Sequence, residues 1–518
     1  MEKKSRPVKK IICLLSVVFL TCGVAGSQTS EKEKSGCRQE IACGQGVSLK
    51  YEPTWESLDA RPMPKWWTDA KFGIFIHWGV YSVPSWSVKG QYSEWYWRKV
   101  TDSKKKNGKW WKFHKETYGE DFEYRDFAGL FKAELYDPEH WADVFYRSGA
   151  KYVVPTSKHH DGFCLWPSAE ANKSWGRPWN SVAVGPKRDL LGELTEAVRK
   201  KGLRMGIYYS LYEWYNPLWL TDKKRYVKEH MIPQFKDVVT RYKPAVIFAD
   251  GEWDLPESEW QSRELLVWLF NESPCREYVV INDRWGKESS AKRTRHKHGG
   301  YYTTEYGVGL KDSGHPWEET RGMGHSFGYS RNESLSDYKS ARELVLMLVD
   351  LVSRGGNFLL DIGPTGDGRI PVIMEERLIE MGQWLGVNGE AIYGTQPWRK
   401  SRQWSSGESP RLEYGRQYRA RYDIRELTAK PAGGKAVVEV FFTSKADALY
   451  AIVPHWPGSE LVLKEMRPSK NMVVTMLGGK GSLKWKAAGG DIVIEVPKLS
   501  VDEVPCRYAY VFKLMGVE

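Results

Sequence analysis

Across some 300 residues after Pro62, short apolar runs that end in polar residues alternate with helical patterns. This feature constrains the fold more than any other. The runs are Phe72 to His77, Tyr152 to Ser157, Arg204 to Tyr209, Ala245 to Ala249, Tyr278 to Asn282, Tyr301 to Glu305 and Asn357 to Ile362. Helical stretches are expected near His140 to Arg147, Tyr226 to Tyr242, Glu259 to Phe270 and Asp337 to Ser353. In the clearest, Leu190, Leu191, Leu194, Ala197 and Val198 share one face at the 3.6-residue period. Such alternation implies a parallel sheet, either doubly wound or closed as a (β/α)8-like barrel. No glycine-rich nucleotide fingerprint follows any strand, which favours the barrel. Seven strands are counted where a closed barrel needs eight, so closure is incomplete or one strand escapes the pattern.

After about Trp398 the texture changes. Ala436 to Thr443, Leu449 to Pro454, Leu461 to Lys464, Met472 to Met476, Leu483 to Lys486, Asp491 to Val496 and Tyr508 to Leu514 are short alternating runs separated by turn residues. They predict a C-terminal antiparallel β-sandwich. The expected organisation is a signal peptide at 1–26, a flexible leader at 27–48, a (β/α)8-like catalytic domain at 49–398 and a β-sandwich at 399–518.

The signal reading rests on Lys3, Lys4, Arg6, Lys9 and Lys10 ahead of an apolar run from Ile11 to Phe19, with small residues at Ala25 and Gly26. Removing those five bases and Glu2 lowers the formal charge from +12 to +8. An exported chain follows, with no membrane anchor: secreted or periplasmic in a bacterium, lysosomal or secreted in an animal. Cys37 and Cys43 could close a small loop in an oxidising compartment. Asn172, Asn271 and Asn332 stand in Asn-x-Ser acceptor patterns. The basic stretch between Arg98 and Lys115, containing KKKNGKWWKFHK, reads as a solvated loop lining a cleft. It sits on no recognised nucleic-acid module, so no nucleic-acid partner is expected.

In such barrels reacting residues gather at the carboxyl ends of the strands. Read in order, those ends supply His77, His159 and His160, Tyr208, Asp250, Arg284 and Glu305. Asp250 closes the apolar run AVIFAD, where a carboxylate must be solvated, paired or functional. Glu305, in YYTTEYG, stands among aromatics that would desolvate it, or else pairs with Arg284. Two carboxyls across one cleft are the machinery of glycoside hydrolysis. His77 reads as a site residue or as a satisfied histidine under the barrel floor. The His159 and His160 pair lacks the further ligands and spacing of a metal site, so no metal is expected. Neighbouring side chains on a strand point apart, so both rings share a site only where the strand has ended. Glu94 and Trp95 lie in a long loop after the first strand. With 25 Trp, 28 Tyr and 17 Phe, aromatics make up 14% of the chain, as befits a protein that stacks rings on sugar faces or fills a large core.

The segments DAKFGIFIHWGVYSVPSW, KYVVPTSKHHDGFCLW, GPKRDLLGEL, INDRWG, SFGYSRNE and GGNFLLDIGPTGDG resemble the α-L-fucosidases of glycoside hydrolase family 29, from about Tyr51 to the C-terminus. The stretch SLYEWYNPLWLTDKK is similar to the animal lysosomal members. This resemblance implies a retaining exo-glycosidase that releases terminal α-L-fucose from glycans or glycoproteins, without cofactor or metal. It implies Asp250 as nucleophile and Glu305 as acid/base, with Glu318 or Glu319 as rivals for the second role. Tyr306 occupies a neighbouring position that has been a rival in relatives of the animal enzymes and cannot act as a carboxylic acid. The implied sugar-binding set is His77, Glu94, Trp95, His159, His160, Tyr208, Phe248 and Arg284. At Phe248 the family usually carries Trp, so an indole N–H is absent here. A fucose-binding lectin-like protein, or a glycosidase for a related sugar such as galactose, are the alternatives. A homo-oligomer is compatible with the chain.

Overall fold

The computed structural model describes residues 50–288, 298–311, 314–415 and 422–517. The expected signal, the leader and the Cys37–Cys43 loop lie outside the described residues. Eight parallel strands form one curled sheet: β1 Phe72–Ile76, β2 Tyr152–Lys158, β3 Ile207–Ser210, β4 Val246–Asp250, β5 Val280–Ile281, β6 Tyr302–Glu305, β7 Trp317–Gly322 and β8 Gly356–Ile362. Their spatial order is β5-β4-β3-β2-β1-β8-β7-β6. A parallel bridge between Asn282 and Tyr301 joins the two end strands, so the sheet closes on itself.

The eighth strand is β7, whose sequence WEETRG does not look like a strand. All six of its residues are nevertheless buried. Glu319 accepts from Thr304, the Gly307 amide and Arg321, while Glu318 accepts from the Tyr152 hydroxyl and burial pushes its carboxyl up to about 8. The run from Arg204 breaks at Gly206, where a Cβ would stand 2.7 Å from Val246, and resumes as β3.

Helices pack outside the sheet because their apolar faces need cover. The basic stretch read as a loop is instead a helix pair, α1 Tyr96–Lys104 and α2 Lys109–Tyr118. Trp110, Trp111 and His114 are buried there while the lysines face solvent, an amphipathic pattern hidden by the density of charge. The others used below are α3 Pro138–Arg147, α4 Leu190–Lys200, α5 Ile232–Tyr242, α6 Ser262–Asn271, α7 Ala341–Ser353 and α8 Val372–Asn388. Asp189 caps α4, accepting from the Gly192 amide at 2.9 Å, and the apolar face expected from the sequence is buried.

From Gln396 onward the strands are antiparallel: β9 Gln396–Trp404, β10 Val438–Lys445, β11 Ala448–Val453, β12 Glu460–Leu463, β13 Pro468–Met476, β14 Ser482–Leu483, β15 Trp485–Ala488, β16 Asp491–Glu495 and β17 Tyr510–Val517. One sheet runs β9-β10-β11-β17-β13-β14 and the second β12-β16-β15. The alternation along β11 shows how they are held. Leu449, Ala451 and Val453 join the core between the two sheets, whereas Tyr450 and Ile452 join the main barrel core. Asp350 on α7 pins the junction, pairing with Arg354 and with Arg402 of β9. Among the described residues no helix is long and apolar enough to cross a membrane.

Candidate active site

The carboxyl ends of β1 to β6 converge on Asp250, the last residue of β4. Its Oδ1 accepts from Arg284 at 3.0 Å and its Oδ2 from the Tyr208 hydroxyl at 2.8 Å. The His160 Nε2 stands 3.4 Å from Oδ2. Burial by itself would raise the carboxyl, but the His160 contact, the Arg284 charge and the Tyr208 hydroxyl outweigh it and hold Asp250 well below the usual carboxylate range. Asp250 is therefore an anion in a largely dry pocket.

The same guanidinium donates from its other terminal nitrogen to Glu305 at 3.0 Å, and from Nε to Thr303 at 3.1 Å. Glu305 ends β6, and Tyr92 donates to its second oxygen at 3.4 Å. Arg284 thus binds both carboxyls at once, and the ion pair that the sequence offered as one reading of Glu305 is present.

β2 ends at Lys158, so His159 and His160 lie beyond the strand and both rings turn to the pocket, 4.2 Å apart. Ser210 gives its own proton to the Tyr212 carbonyl and accepts from His160 Nδ1 at 2.6 Å. His159 stacks on Tyr208 and its Nδ1 has no protein partner. His77 is at the top of the barrel, beyond β1, rather than under its floor. Burial lowers it to about 3, so the ring is neutral. Its Nδ1 meets Asp361 at 2.7 Å.

Residues 41–390 match the family described as alpha-L-fucosidase, and residues 435–515 match its C-terminal domain. An alpha-L-fucosidase of Branchiostoma floridae is 44% identical over 90% of this chain and 96% of its own length. The tissue alpha-L-fucosidase of Homo sapiens is 42% identical over 90% and 92%. The chain belongs to the α-L-fucosidase family. Among solved structures, the Thermotoga maritima alpha-fucosidase in complex with a mechanism-based inhibitor superposes with a TM-score of 0.73 at 37% identity, covering 90% of this chain and all of that one.

In this fucosidase-family pocket Glu94 is buried and accepts from the Gly328 amide at 2.9 Å and from the Ser326 hydroxyl at 3.3 Å. Burial, aided by the Glu305 charge, pushes its carboxyl up to about 8. Trp95 is half-buried and stacks on Trp253, with ring centroids 5.8 Å apart. Phe248 lies against Tyr208 and Phe75, with the Arg284 guanidinium 5.1 Å over its ring. Phe327 stacks on His77 at 4.8 Å and packs on Phe75, completing an apolar wall.

Glu318 and Glu319, rivals for the acid/base role, lie within β7. Glu318 is bound to Tyr152 of β2, and Glu319 is consumed by Arg321, Thr304 and Gly307. Neither shares Arg284 with Asp250.

Sequence reasoning missed Tyr92, Phe75, Phe327, Asp361 and Glu252. Phe75 and Asp361 sit inside runs that read as strand core. Glu252, two residues after Asp250, is buried, and burial together with the Asp250 charge pushes its carboxyl up to about 8. A second carboxyl in FADGEWD was the signal that could have found it. Also missed was Glu213, which accepts from Lys158 at 2.7 Å, His230 at 2.7 Å, Trp175 at 2.9 Å and Asn216 at 2.7 Å. Lys158 directly precedes the histidine pair, so this network holds the pair in place.

Proposed function

We propose that the protein is a retaining exo-α-L-fucosidase acting on terminal α-L-fucose of glycans or glycoproteins. The observation that carries this reading is the double grip of Arg284, which holds an ionised Asp250 and Glu305 on one pocket. In the first step an Asp250 oxygen attacks the anomeric carbon as the glycosidic bond breaks. Glu305 gives its proton to the leaving oxygen. In the second step water attacks the same carbon, its proton passes to Glu305, and Asp250 departs as the carboxylate. The first step uses the proton that Glu305 takes from the attacking water at the end of each cycle.

Neutral His77 and the His159 and His160 rings offer hydrogen bonds to ring hydroxyls, which strengthen as the ring flattens toward an oxocarbenium ion. The wall of Phe75, Phe248 and Phe327 suits the C5 methyl of fucose, where galactose carries a hydroxymethyl group. An added hydroxyl would be buried there without a partner.

The deciding experiment is turnover of an aryl α-L-fucoside by the wild type and by Glu305→Ala, with and without azide. The variant is expected to lose at least two powers of ten in rate and to recover with azide, which displaces Asp250 from the fucosyl-enzyme and yields the α-fucosyl azide. An unimpaired Glu305→Ala, or a β-configured azide product, would overturn the assignment.

A further inference from the structure

At the opposite end of the barrel a cavity of about 660 Å³ opens between the starts of the strands and β9. β8 alone spans seven residues, so about 20 Å separate this cavity from the Asp250 pocket. Its size is that of a small-molecule site. Lys71, Arg354 and Arg402 line it, and among the described residues no aspartate or glutamate does.

Its buried donors lack acceptors. Trp67 is 1% exposed and its indole N–H has no partner; the Arg354 Nε–H, also buried, has none either. Lys71 is 3% exposed; its backbone carbonyl accepts from the Phe358 amide at 2.8 Å, while its ammonium makes no hydrogen bond or ion pair among the described residues. An orphaned buried donor is costly and rare, and two of them beside one cavity, next to the Lys71 ammonium, favour an acceptor from outside. Asp350 holds Arg354 and Arg402 from behind, and Asp69, whose charge acts on Lys71, pairs through one oxygen with Lys65 and leaves the other without a partner. Half-buried Trp398 and Trp404 add flat apolar faces suited to a sugar ring.

We propose that this cavity binds an acidic sugar, whose carboxylate or sulfate oxygens accept from Lys71 and from the Trp67 indole. The site is separate from the catalytic pocket and independent of its chemistry. Burial lowers the Lys71 ammonium to about 8, so the site loses the Lys71 charge as pH rises past that value.

The test is calorimetric titration of the full chain, with fucose saturating the catalytic pocket, using sialyllactose, sulfated lactose and lactose as probes. A charged probe is expected to bind one per chain, at least tenfold more tightly than lactose, and to weaken between pH 7 and pH 9. Lys71→Met and Trp67→Phe should each cost tenfold or more in that affinity and leave aryl-fucoside turnover unchanged. The tighter of the two charged probes distinguishes carboxylate from sulfate. Equal binding of all three probes, or affinity that survives both substitutions, would overturn the proposal.

Discussion

At the scale of single residues the site is a set of carboxyls sorted by their surroundings. Asp250 has an arginine and a tyrosine as donors and stays ionised, whereas Glu94 and Glu252 are buried with too few donors and are pushed up to about 8. Glu94 is therefore neutral at pH 6 and can donate to a sugar oxygen; above about pH 8 it becomes an anion beside Glu305. On an aryl fucoside, kcat/KM is expected to fall above pH 8, and Glu94→Gln should abolish that limb while lowering the plateau. If the limb persists in Glu94→Gln, the titrating group is Glu252 or the proton-donating Glu305 instead. Residue types at strand ends made His77, His159, His160, Tyr208, Asp250, Arg284 and Glu305 legible beforehand. Phe327 and Asp361 were illegible because each needs a partner more than 200 residues away, His77, to have a role.

At the scale of elements, β2 and β3 aim the histidine pair through the ion pair beneath it. Lys158 and Glu213 are both fully buried and 2.7 Å apart, and His230 adds a third titratable group. Breaking one member of a buried pair strands the other charge in a dry interior. Glu213→Ala is expected to cost about 3–5 kcal/mol of stability, read as a lower urea midpoint at unchanged slope. A loss within about 0.5 kcal/mol would mean that water reaches Lys158. The continuous apolar runs of β1, β2, β4 and β8 betrayed their burial on both faces. β7 did not, because only after folding does Glu319 pair with Arg321 and does burial, with the Tyr152 hydroxyl of β2 beside it, raise the Glu318 carboxyl.

For the whole molecule, burial of ionisable groups sets the response to pH. Glu94, Glu252 and Glu318 are each pushed up to about 8 in the folded chain. Between about pH 4.5 and 8 the folded state holds more protons than the unfolded one, so their contribution is complete below that window and is lost as pH rises through it. His77, lowered to about 3, acts oppositely and penalises acid below about pH 6.5. From pH 6.5 to 8 only the carboxyls of this group act. Tm is expected to fall across that interval, each carboxyl contributing a slope of at most about 1.4 kcal/mol per pH unit. Thermal unfolding of Glu318→Gln over the same range should give a shallower decline; an identical slope would remove Glu318 from the account.

Local chemistry, read along the chain, determined the alternating elements, the barrel followed by antiparallel strands, and the roster of polar strand ends. Those properties depend on periodicity and on neighbours a few residues away, and both are written into the sequence. Tertiary structure alone decided that WEETRG is a strand and that Arg284 grips two carboxyls. It alone decided which acids keep their protons, and that Trp67, Lys71 and Arg354 meet around one cavity. Those outcomes depend on desolvation and on contacts across the barrel, which exist only once distant strands have closed on each other.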